Sequence, residues 1–180
     1  MLDFNNLQNY RENNRIEAKN ALGGLPESIW ETYSAFANAQ GGIILLGVEE
    51  LEDKSLHALD LPDPQWLIED LWAGLEDPKV VSQNILTPDD IEIHIIDGKQ
   101  IVAVTVPPAK WDQRPIYIGA DPIRGTYRRS GEGDYRCTPE VVRAMMRESG
   151  KCECYSNGAE APQGFPRGEA VKKPHDCAAF

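Results

Sequence analysis

Ten consecutive residues, Gly41-Gly42-Ile43-Ile44-Leu45-Leu46-Gly47-Val48-Glu49-Glu50, restrict the fold more than any other part of this chain. Within it, Gly42 to Val48 is a nearly all-apolar, partly β-branched run, the pattern of a strand buried on both faces and central in its sheet. The segment before it, Pro26 to Gln40, has helical periodicity: Ile29, Tyr33, Phe36 and Ala37 fall on one face. Pro26 suits the first helical turn, Glu27 complements the helix dipole there, and Gly41 stands where a C′ cap is expected. A helix therefore leads directly into a central strand.

Upstream, Arg15 to Lys19 alternates, with Ile16 and Ala18 on one face and Arg15, Glu17 and Lys19 on the other. Glu17 and Lys19 then project from the same side of a half-buried strand, roughly 6.5–7 Å apart. Glu12 has the opposite parity, and Asn13-Asn14 is a bend able to bring it alongside. If the helix folds the chain back, Glu12, Glu17, Glu49 and Glu50 gather near Lys19. Such a cluster can hold a metal ion, pair internally or meet a nucleic-acid backbone.

The remaining pattern is mixed. A short leading helix is expected within 1–13, and a strand at Leu56–Leu59. A second helix is expected from Asp63 or Pro64 to about Glu76. Ile91–Ile96 and Gln100–Val106 read as a hairpin around Asp97-Gly98-Lys99. Strands are expected at Ile116–Ile118 and Gly125–Arg129. A closing helix should begin at Thr138-Pro139-Glu140, capped by the threonine. Strands and helices without strict alternation indicate an α+β fold, with helices packed on a mixed, mostly antiparallel sheet. The domain is expected to span 1–151. Residues 152–180 carry no periodicity and read as a disordered tail.

Net charge is −11, which argues against indiscriminate polyanion binding. The charge is uneven: residues 1–106 carry a net −13, whereas residues 107–151 carry +3. Lys110, Arg114, Arg124, Tyr127, Arg128 and Arg129 in the basic quarter are the candidate nucleic-acid contacts, with Trp111 or Tyr117 available to stack on a base. Arg128 and Arg129 occupy adjacent strand positions, so one can reach a phosphate while the other pairs internally. The alternative is a solvated basic face. Gly41-Gly42 precedes a strand and lacks a following Gly-Lys-Ser/Thr, so it is not a P-loop. Cys152, Cys154, His175 and Cys177 are a weak zinc candidate because their spacing is not a common finger pattern. His57 and His94 stand alone, without a nucleophile turn nearby. No secretory signal or membrane-length apolar run is visible, so a cytoplasmic protein is expected.

Taken together, Glu17-x-Lys19, Leu25-Pro26-x-Ser28 and Ser34-Ala35-Phe36-Ala37-Asn38-x2-Gly41-Gly42-x4-Gly47-Val48-Glu49-Glu50 resemble the Schlafen/AlbA_2 domain family. Arg114-Pro115-Ile116-Tyr117 and Gly125-Thr126-Tyr127-Arg128-Arg129 extend the resemblance over about residues 9–149. It implies a DNA- or RNA-binding regulatory domain, since bacterial members are described as DNA-binding or transcriptional-regulator domains. Animal Schlafens cleave tRNA and rRNA at a three-carboxylate site with a divalent metal. By that resemblance Glu12, Glu17, Lys19 and Glu49 or Glu50 would be catalytic, and Glu12, Glu17 and Glu50 would hold Mg²⁺ or Mn²⁺. A glutamate stands here where an aspartate is usual. The resemblance leaves open whether the chain is a ribonuclease, a binding domain or a protein-interaction module. It also implies a homodimer or further domains, because animal Schlafen cores pair two related lobes.

Overall fold

A computed structural model describes residues 4–151. The zinc candidates and the expected tail lie outside the described residues.

The central sheet has the strand order Ile16–Lys19 (β1), Gly42–Leu46 (β2), Lys99–Val106 (β6) and Ile91–Ile96 (β5). β1 runs parallel to β2, with Glu17 opposite Ile44 and Lys19 opposite Leu46. β6 is antiparallel to β2 and forms the expected hairpin with β5. The sheet is therefore mixed and mostly antiparallel, and the α+β architecture is as the sequence pattern indicates.

The long apolar run is not one strand. Gly47 turns the backbone at φ 80°, and the chain continues as β3 (Val48–Glu50), which pairs with β4 (Leu56–Ala58) in a separate two-stranded sheet. Only glycine fits this corner. A Cβ would require a positive φ and would come within 2.6 Å of the Leu61 side chain. The bend carries Glu49 and Glu50 away from the line of β2 and beside β1.

α1 (Ile29–Ala37) packs on one face of the sheet, burying Ile29, Tyr33 and Phe36 with Ile44, Leu46, Val102 and Val104. α2 (Pro64–Glu76) covers the same core through Leu67, Leu71 and Leu75, and Asp63 caps it by accepting the Trp66 N–H at 2.9 Å. On the other face, Leu7, Ile16, Leu45, Val48 and Ile101 form a second core under the short 3-10 segment Phe4–Asn9.

Two expectations for the basic quarter need correction. Ile116–Ile118 is not a strand but extended chain making isolated bridges to Val81 and Thr126. Thr138 does not cap the last helix, α4 (Pro139–Glu148), through its side chain. Between these lie a one-turn helix, α3 (Pro122–Gly125), and a hairpin of β7 (Tyr127–Ser130) and β8 (Gly133–Arg136). β8 is absent from the sequence reading.

The candidate site: a charge-paired cluster and a basic ribbon

The motif Ser34-Ala35-Phe36-Ala37-Asn38 is a structural connector. Asn38, fully buried, donates to the Ile116 carbonyl at 2.6 Å and the Tyr127 carbonyl at 3.1 Å, and accepts the Ile116 N–H at 2.9 Å. Ser34 Oγ donates to the Ile116 carbonyl and accepts the Tyr127 N–H. These bonds satisfy backbone groups that would otherwise be buried and unpaired. They also clamp the start of β7 onto α1 and so set the direction of the β7–β8 ribbon.

Along β7 the side chains alternate. Tyr127 and Arg129 point inward, whereas Arg128 and Ser130 are exposed. Arg129 Nη2 donates to Glu17 Oε2 at 2.7 Å, and Nη1 donates to Asp134 Oδ1 at 2.9 Å. The same guanidinium reaches the Asn13 carbonyl at 2.8 Å and lies 5.1 Å over the Phe36 ring. Burial disfavours its charge, but Asp134 and Glu17 outweigh that and hold it protonated. Asp134 also accepts from Thr32 of α1 at 2.7 Å.

Glu17 is thus held from both sides, because Lys19 Nζ donates to its Oε1 at 2.7 Å. Glu12 Oε1 accepts the Ala18 N–H at 3.0 Å. Its carboxyl is raised above the ordinary range, chiefly by burial, partly offset by that N–H; the charges of Glu17 and Glu50 raise it further. Glu50 Oε2 pairs with Lys54 at 2.9 Å, and Lys54 also approaches Glu132 at 3.8 Å. Glu50 Oε1 is buried without a hydrogen-bond partner among the described residues. Glu49 lies opposite His57 on β4.

The fold therefore brings Glu12, Glu17, Lys19 and Glu50 into one neighbourhood, with Glu17 and Glu50 paired to cationic side chains. Both Glu17 oxygens already face a cation. Glu50 leans on Lys54. Among the described residues no three His, Cys, Asp or Glu side chains are grouped closely enough to hold a metal ion. Lysine and arginine supply the compensating charge that a metal would supply in a carboxylate site. Glu50 Oε1 and the raised Glu12 carboxyl are the two features left uncompensated.

The candidate nucleic-acid contacts divide in the same way. Arg129 is committed internally. Tyr127 is buried, and its hydroxyl donates to Glu31 at 2.9 Å and receives Arg136 at 3.1 Å. Arg114 is taken up by the carbonyls of Ala109 and Ala39. Arg129 and Tyr127 are buried with their polar atoms on internal neighbours, whereas Arg114 is half-buried and bonds the two carbonyls through Nε and Nη2. Arg128 and Lys110 remain exposed, as does Arg124, which lies 3.6 Å from Asp121. The sequence reading missed Tyr135, 62% exposed and directly opposite Arg128 in the ribbon. Its signal was the alternation in Asp134-Tyr135-Arg136 after the Gly131-Glu132-Gly133 turn. Arg128, Tyr135, Arg136 and Val141 border a shallow groove between the ribbon and α4. The described residues hold no helix long and apolar enough to cross a membrane.

Comparison with known proteins agrees with this fold. The solution structure of the N-terminal domain of a protein related to the ATP-dependent DNA helicase RecG, from Nitrosomonas europaea, is similar. Identity is 32% over 77% of this chain and 95% of that domain, with a TM-score of 0.57. The DIP2311 protein of Corynebacterium diphtheriae shares the fold at 17% identity and a TM-score of 0.50, over 74% of this chain but only 24% of that one. No curated protein sequence matches significantly. The Schlafen, AlbA_2 family profile matches residues 12–138, more than half of the chain, and the chain belongs to that family.

Proposed function

We propose that this domain binds nucleic acid, DNA or RNA, through the outer face of the β7–β8 ribbon. The observation that carries the reading is the pairing of Arg128 with Tyr135 on the exposed side of that ribbon. An unpaired guanidinium beside an exposed aromatic ring combines the two elements of single-strand recognition: a phosphate contact, and a face on which a base stacks. Arg129, anchored to Glu17 and Asp134, holds the strand that presents Arg128. The family and the helicase-related neighbour support an association with nucleic acid. Net charge of −11 predicts modest, salt-sensitive affinity confined to this face.

The test is fluorescence anisotropy with labelled single-stranded and duplex oligonucleotides of both sugars at low salt. Arg128→Glu is expected to weaken binding at least tenfold while leaving the thermal midpoint unchanged. Undiminished binding by Arg128→Glu would remove the ribbon from the interface. Metal-dependent cleavage is the weaker reading, because two of the three carboxylates it needs already face cations, Glu17 with Lys19 and Arg129 and Glu50 with Lys54, and only Glu12 has none among the described residues.

A further inference from the structure

The two edges of the four-stranded sheet are finished differently. Side chains and a turn occupy the outer edge of β1. Glu12 takes the Ala18 N–H, and the Ile16 carbonyl accepts from the Asn13 N–H at 3.1 Å and from Arg129 at 3.4 Å. The opposite edge, β5, has no such cover. Among the described residues its backbone bonds only to β6 and, through the Ile91 N–H, to the Pro88 carbonyl. The register with β6 is uninterrupted, and Ile91-Glu92-Ile93-His94-Ile95-Ile96 contains no proline, lysine or bulge to block a new partner. Ile93 and Ile95 are 42% and 67% exposed on the side that faces the helices.

The sequence of this edge is self-complementary. We propose that β5 docks on β5 of a second copy of this chain, antiparallel, about a two-fold axis at Ile93. In that register Glu92 faces the partner's His94, and His94 faces the partner's Glu92. Ile91 faces the partner's Ile95, and Ile93 faces the partner's Ile93. Charged and apolar faces therefore coincide, as an isologous contact requires. Neighbouring registers fail. Centring on Glu92 opposes two glutamates, and centring on His94 opposes two histidines and sets Glu92 against the partner's Ile96. A one-residue slip sets Glu92 and His94 against isoleucine on both strands. The rings are already positioned: His94 Nε2 lies 3.0 Å from Glu92 Oε2, and Phe4 stacks on His94 at 3.8 Å between centroids. Pairing would join two four-stranded sheets into one and give partners to the outward N–H and C=O of Ile93, the Ile95 N–H and the Ile91 carbonyl, while the Ile91 N–H stays on Pro88.

Sedimentation equilibrium of the full chain tests this, with circular dichroism checking the fold of each variant. Wild type is expected to be a reversible dimer. Glu92→Lys sets lysine against histidine twice per interface and should raise the dimer dissociation constant about tenfold. Glu92→Lys combined with His94→Glu exchanges the acidic and basic positions and should restore the dimer. Ile95→Lys, at a well-exposed position the monomer tolerates, should also dissociate it. A wild type that stays monomeric at every attainable concentration overturns the proposal. So does a dimer whose affinity is unchanged in both Glu92→Lys and Ile95→Lys, since its interface lies elsewhere.

Discussion

Arg129 and Glu17, 112 positions apart in the sequence, are joined by a 2.7 Å ion pair that ties the β7–β8 ribbon to the outer edge of the central sheet. Removing Arg129 leaves Asp134 without its cation and Glu17 with Lys19 alone, and an unmatched buried charge costs about 3–5 kcal/mol. Arg129→Ala should lose stability on that scale in urea unfolding. Arg128→Ala, one residue away but exposed, should change it by less than about 0.5 kcal/mol. The two substitutions thus separate the scaffold from the surface it presents.

Glu12 carries a sign-specific prediction. Its folded carboxyl titrates above its unfolded value of 4.5, chiefly because of burial. Between those values the folded state binds the extra proton, so this group's contribution falls as pH rises through the window and is least favourable above it. Glu12→Gln keeps an acceptor for the Ala18 N–H but removes the charge. Its thermal midpoint should match or exceed that of wild type at pH 8, and the difference should shrink toward pH 4.5. Glu12→Ala also loses the acceptor and should cost about 1 kcal/mol at either pH.

The cation pairing around Glu17 predicts how the domain responds to metals. A site that bound Mn²⁺ only in the folded state would raise stability by about 2.7 kcal/mol at a hundredfold excess over its dissociation constant. No saturable rise in thermal midpoint is expected on adding Mn²⁺. A rise that disappears in Glu50→Gln would restore the metal reading, with the unpartnered Glu50 Oε1 as its ligand.

Asn38 makes four hydrogen bonds inside the core and joins α1 to the start of β7. Asn38→Leu should cost several kcal/mol, because it leaves backbone groups of Ile116 and Tyr127 without partners, each about 1–3 kcal/mol. Gly47→Ala should also destabilise the domain, through both the positive φ and the clash with Leu61. Chemical denaturation checks both.

Much of the architecture was legible because burial imposes periodicity. The Ile91–Val106 hairpin, α2 with Asp63 before it, and the Phe36 face of α1 all followed from spacing and turn chemistry. What escaped depended on long-range partners. Gly47 looked like part of one apolar strand, since its left-handed backbone has no local signature in Leu-Gly-Val. β8 is four residues with no apolar face, held by its register with β7. The placement of Glu17 beside Lys19 followed from strand parity. Its second cation, Arg129, and the role of Asp134 did not, because they meet only in the folded chain. Adjacent positions showed that Arg128 and Arg129 diverge, but not which one turns inward.

The central claim, that the exposed face of the ribbon contacts nucleic acid, is tested most directly by the salt dependence of binding. The dissociation constant for a labelled single strand would be measured across a salt series for wild type, Arg128→Gln and Tyr135→Ala. Wild type should bind at low salt and weaken steadily as salt rises. Arg128→Gln should reduce the slope by about one unit. Tyr135→Ala should weaken binding by about 1–3 kcal/mol while leaving the slope unchanged. Binding whose strength and slope are the same in all three proteins, or no binding by wild type at low salt, would contradict it.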